Sequence, residues 1–152
     1  QMPKLLGLAF ASKLFRNNKG LKDFSDFSVN GNEVAWGTIG NASTSEGMFF
    51  ESMNAAGVLQ VPMVVAVWDD GFGISVPQEF HTTKGSISEA LLGLQRTDTE
   101  KGFEILRVKG WDYEALMQAF ARNEAYFEEF RQNKKIWTLR NQNFKMQKSK
   151  SK

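Results

Sequence analysis

Cysteine is absent from the 152 residues, which removes disulfides, a thiolate nucleophile and every cysteine-ligated metal site. Histidine occurs once, at His81, with no serine or carboxylate in a recognisable triad motif around it. A surface hydrogen-bonding role is the expectation for it. No apolar run approaches the length that spans a bilayer, and Gln1-Met2-Pro3-Lys4 does not open a signal peptide. A cytoplasmic protein without membrane contact is therefore expected. Acidic residues are missing from one end: Arg131 to Lys152 holds eight basic residues and no acidic one. The chain's net +2, less those eight, leaves residues 1–130 at −6. Such a basic segment, 131–152, is expected to be a solvated tail, and nothing else in the chain resembles a nucleic-acid binder. Two phosphate signatures are also missing. Gly37-Thr38-Ile39-Gly40 has the wrong spacing for a dinucleotide fingerprint, and Gly47 is followed by Met48 where a P-loop needs lysine.

What is present is the composition of one globular domain, with 41% apolar and 24% charged residues. The spacing of Leu5, Leu8, Ala9, Ser12 and Phe15 predicts a helix over 3–15, with Pro3 in its first turn. Asn18 or Gly20 suits a left-handed stop. Asn30-Gly31-Asn32 signals a turn. Glu33 to Ile39 reads as a strand, and Ser43 with Glu46 as the capping box of a following helix. That helix turns Phe49, Met53, Ala56 and Gly57 or Val58 inward. Val61 to Trp68 reads as a strand buried on both faces. A short helix over 86–95, a third strand over 103–109 and a helix from Tyr113, capped by Asp112, to about Gln132 complete the pattern. Alternating strands and helices imply a mostly parallel sheet with helices on both faces.

One stretch stands out. Gly40-Asn41-Ala42-Ser43-Thr44-Ser45-Glu46-Gly47 follows the first strand, and Asp69-Asp70-Gly71-Phe72-Gly73-Ile74-Ser75 follows the second. In open α/β sheets ligands sit beyond the carboxyl ends of the strands. Small residues there let backbone approach an anion, and a carboxylate with an amide oxygen and a backbone carbonyl suits magnesium carrying phosphate oxygens.

These two runs, continued by Val76-Pro77, resemble the α half of thiamine diphosphate-dependent 2-oxo acid dehydrogenases. That family's pattern is Gly-Asp-Gly-Ala-x-Ser-Glu-Gly, then Asn-Asn-Gly-Tyr-x-Ile-Ser-x-Pro. The resemblance extends from Gln1-Met2-Pro3 to Phe103-Glu104-Ile105-Leu106-Arg107-Val108-Lys109-Gly110 and covers roughly residues 1–120. It is closest to the bacterial form that fuses the α and β halves. The resemblance implies a three-layer α/β cofactor-binding domain over 1–130. It further implies an enzyme component that decarboxylates a 2-oxo acid and passes the acyl group to lipoyl.

Position by position, the resemblance puts Asn41, Asp70 and the Phe72 carbonyl on magnesium. It puts Gly40, Ala42, Ser43 and Ile74 beside thiamine diphosphate, and it assigns no catalytic side chain to this chain. The implied partners are a β-half pyrimidine-binding domain and the lipoyl acyltransferase component; a domain cut from a two-domain site, with thirteen phenylalanines, is also expected to keep apolar faces and self-associate. The family's activating glutamate belongs to the β half, and its substrate-side histidine follows the position matching Phe120. An isolated chain that lacks both is expected to be inactive. Departures from the pattern are concentrated at the site. Aspartate and asparagine have changed places at 41 and 70, Asp69 replaces an amide, and Ala42 replaces a glycine, which requires negative φ there. A degenerate, non-catalytic domain of the same fold is the main alternative. Another thiamine enzyme such as a transketolase is a third reading, without support from Ile74-Ser75-Val76-Pro77.

Overall fold

A computed structural model describes residues 1–131; the expectations for 132–152, including the basic tail and the helix end at Gln132, lie outside the described residues. The first helix, α1 (Met2–Asn17), carries Pro3 in its opening turn, where the missing N–H costs nothing. Its buried residues are Met2, Ala9 and Ser12, whereas Leu8, expected inside, is exposed. Asn18 does not adopt the left-handed stop. It is extended, and its side chain instead accepts from Gly20 N at 3.0 Å to cap a short 3₁₀ turn.

Strands β1 (Ala35–Gly40) and β2 (Met63–Trp68) pair in parallel, in a register running from Ala35↔Met63 to Gly40↔Trp68. Helix α2 (Gly47–Leu59) connects them, and Phe49, Ser52, Met53, Ala56 and Gly57 are its buried residues. Ile39 in β1 and Met63, Val65 and Val67 in β2 pack against a core of Met2, Phe49, Met53, Ile87 and Leu91. Gly37 lies on the same face; a side chain there would meet Leu5 at 2.6 Å, so its absence lets α1 settle onto the sheet. On the opposite face Trp36 meets Phe120 of α4 (Tyr113–Arg131), ring centroids 5.6 Å apart. Helices thus flank a parallel sheet, and the α/β reading holds.

Several expectations need correction. The second strand is not buried on both faces. Its residues are half-buried, and Trp68 is 70% exposed, because a single aromatic contact is poor cover for the far face. The third strand over 103–109 does not form among the described residues. Phe103 makes one isolated parallel bridge to Gln95, while Phe103 and Ile105 still pack on the core. Gly102 sits so close to the Leu94 carbonyl and the Arg96 amide that the segment is committed to Gln95 rather than to a sheet edge. The helix over 86–95 shortens to α3 (Ile87–Ala90), capped by Ser86, followed by a 3₁₀ turn at Leu92–Leu94. Asp112 does cap α4, accepting from Ala115 N at 3.0 Å. No helix among the described residues is long and apolar enough to cross a membrane.

Candidate functional site

The parallel register brings the carboxyl ends of β1 and β2 side by side. Asn41, the first residue past β1, donates its backbone N–H to the Trp68 carbonyl at 3.1 Å. Its own carbonyl accepts from Thr44 N at 3.1 Å and from the Thr44 hydroxyl, which holds residues 42–45 in a 3₁₀ turn around the fully buried Thr44. The Asn41 side chain turns inward. The residue is only 3% exposed, and its Nδ2 has no hydrogen-bond partner. A buried amide without a partner costs about 1–3 kcal/mol, so such an atom asks for an explanation.

The expected capping box is absent. Ser43 lies inside the 3₁₀ turn, and Glu46 takes the N-cap position of α2 without any side-chain hydrogen bond. The reason is local: the Thr44 hydroxyl has already turned the chain, which moves the start of α2 four residues on from Ser43. Ala42, in the 3₁₀ turn, is not among the residues with positive φ, so replacement of glycine there is compatible with the backbone. Gly40 ends β1 with open space around the position a side chain would take.

Beyond β2 the chain reverses at Asp69 and Asp70. Asp69 Oδ1 accepts from Gly71 N at 3.2 Å and Asp70 Oδ1 from Phe72 N at 3.0 Å, two successive side-chain-to-backbone turns. The second oxygen of Asp69 takes a bond from Gln78; that of Asp70 takes none among the described residues. A hairpin then follows, β3 (Phe72–Gly73) against β4 (Val76–Pro77). Gln78 N donates to the Gly71 carbonyl at 2.9 Å, so the next pair, Phe72 with Pro77, is a non-hydrogen-bonded one and the Phe72 carbonyl points away from its partner strand. At the tip Ile74 is fully exposed at φ +61°, an outlier for a β-branched residue and one of a kind that gathers at functional sites.

The two reversals touch. A side chain at Gly73 would lie 2.6 Å from the Ala42 methyl and 3.5 Å from His81 Nε2, so glycine is what allows the hairpin to close on the first turn. His81 was expected at the surface and is instead half-buried. Its Nδ1 lies 2.9 Å from the Thr82 hydroxyl, and its carbonyl accepts from the Ser45 hydroxyl at 2.5 Å. Its Nε2 is buried and has no partner. No sequence motif marks this histidine; only the fold brings it to the joint.

The chain matches the dehydrogenase E1 component family over residues 1–136. It belongs to that family. Dehydrogenase E1 components are thiamine diphosphate-dependent enzymes acting on 2-oxo acids as one part of a multienzyme complex. Comparison with curated proteins gives no match. The residues present fit the cofactor of an E1 component. Asn41 offers a buried Nδ2 donor without a partner, fit for a phosphate oxygen, Asp70 an unshared carboxylate oxygen and Phe72 a carbonyl at a non-hydrogen-bonded position of the hairpin. No group of three or more histidines or carboxylates gathers among the described residues, so a carboxylate cage for a bare cation is not what this E1 domain offers. Magnesium, which brings phosphate oxygens and water as further ligands, suits so sparse a set.

Proposed function

We propose that this chain is the magnesium- and diphosphate-anchoring part of a thiamine diphosphate-dependent 2-oxo acid dehydrogenase. The observation that carries the reading is the buried Nδ2 of Asn41, a hydrogen-bond donor without a partner at the joint of the two strand-end turns, which suits a diphosphate oxygen. Asn41 Oδ1, Asp70 and the Phe72 carbonyl would hold magnesium. Gly40, Ala42 and Ser43 would face the diphosphate with backbone, and Ile74 would wall the pocket. When bound, thiamine diphosphate supplies the electron sink for decarboxylating a 2-oxo acid. This chain's contribution is to fix the metal and the anion in place. A β-half pyrimidine-binding domain completes the site, and a lipoyl acyltransferase component receives the acyl group.

Calorimetric titration of the chain with magnesium and thiamine diphosphate, with and without a β-half partner, tests the reading. Saturable binding is expected, weakened about tenfold or more by Asn41→Ala or Asp70→Ala. Binding that is absent under both conditions, or indifferent to both substitutions, overturns it. One observation favours a second reading, a non-catalytic domain of the same fold: the Ala42 methyl and Gly73 close the joint where the family keeps glycine at position 42. A chain that stays folded but binds neither magnesium nor diphosphate would establish that reading.

A further inference from the structure

Among the described residues only two buried side-chain polar atoms lack a partner, Asn41 Nδ2 and His81 Nε2. They belong to the same joint: Ala42, next to Asn41, and His81 Nε2 both lie against the position a Gly73 side chain would take. The Ser45 hydroxyl is spent on the His81 carbonyl, and the nearly buried Thr82 hydroxyl has no other acceptor among the described residues. With the Thr82 hydroxyl assigned as donor to Nδ1, Nε2 carries the hydrogen. Both orphans are donors. What would satisfy them is an acceptor, and two N–H donors at one joint suit an oxyanion rather than a cation.

We infer that Asn41 Nδ2 and His81 Nε2–H form a donor pair for one oxygen-rich anion, the diphosphate group, making His81 a binding residue of the site. The inference rests on the anchoring role proposed above and extends it to a residue outside the family pattern. It also gives the aspartate-to-asparagine exchange at 41 a consequence. An asparagine can hold metal through Oδ1 while its Nδ2 donates to phosphate, which an aspartate cannot do. The hairpin must lift for the anion to enter, because both atoms are closed off in this conformation. Little holds it down: it is two residue pairs long, and Phe72, Ile74 and Val76 are exposed.

His81 is the only histidine, so its ring ¹⁵N resonances report on this site without interference. The full chain is titrated with magnesium and inorganic diphosphate, and separately with magnesium and thiamine diphosphate, by calorimetry and ¹⁵N NMR. The Nε2 resonance is expected to move in step with occupancy in both titrations. His81→Ala should weaken both ligands about tenfold, the size of one hydrogen bond to a charged group, while His81→Gln, which keeps a donor, should recover most of that loss. Saturation with an unmoved Nε2 resonance would overturn the inference and leave metal anchoring by Asn41 and Asp70 intact. A moved resonance with unchanged affinity in His81→Ala would reduce His81 to a bystander and equally overturn it. An unaltered chain that binds neither ligand, with or without a β-half partner, overturns both proposals.

Discussion

Gly73 and Ala42 are a matched pair, one giving up a side chain so that the other can keep its methyl. The 2.6 Å approach leaves no room for a second methyl, so Gly73→Ala must push the hairpin off the first turn. We expect that substitution to lower stability by about 1–3 kcal/mol in thermal or denaturant unfolding, as overpacking does. Ala42→Gly in the same chain should restore most of it, since the two changes act on one contact. A loss that Ala42→Gly leaves untouched would place the strain elsewhere. Residues of this kind were unevenly legible in the sequence. Asn41, Asp70 and Phe72 were marked as candidates because their spacing reproduces a family pattern. His81 could not, because its position depends on the hairpin and on Ser45, neither of which leaves a mark near residue 81. The capping box failed at the same scale. Ser43 and Glu46 have the right spacing, but Thr44 bonds the Asn41 carbonyl first and takes the turn.

The loop before β1 shows how a single carboxylate sets an element's boundary. Glu33 gathers Val29 N, Ser28 Oγ and Ser12 Oγ, and so ties α1 and the loop to the start of the strand. Burial by itself raises the Glu33 pKa, but the hydrogen bonds from Val29, its own backbone, Ser28 and Ser12 outweigh it and hold the group below its ordinary value. A carboxyl depressed on folding stabilises the protein above its unfolded pKa, and that stability is lost as pH falls through the folded value. Glu33→Gln should therefore cost about 1 kcal/mol at neutral pH, discounted for exposure, and flatten the acid limb of a stability–pH curve. An acid limb identical in the variant would remove Glu33 from the account. Elements built on local pattern were readable in advance: α1, α2, α4 and both paired strands lie within a few residues of expectation. The strand expected over 103–109 was not, because a run of β-formers does not say which edge it will join. Gly102 settles that through backbone contacts with residues 94–96.

At the scale of the molecule, cover is lopsided. The near face of the sheet has α1, α2 and the buried core, while the far face presents Trp36, which meets Phe120, and a Trp68 that is largely exposed. Exposed aromatic surface of this kind seeks a partner, and a second copy of the chain is the one always at hand. Sedimentation velocity across a concentration series should show reversible association of the chain, weakened in Trp68→Ser. Strictly monomeric behaviour at high concentration would count against it. The parallel pairing has a kinetic corollary as well. Met63 reaches Ala35 only after the whole of α2 has been laid down between them, so the sheet has no hairpin from which to nucleate. Loop-closure entropy must be met before a single ladder bond forms, so this pairing is slower to start than that of strands joined by a two-residue turn.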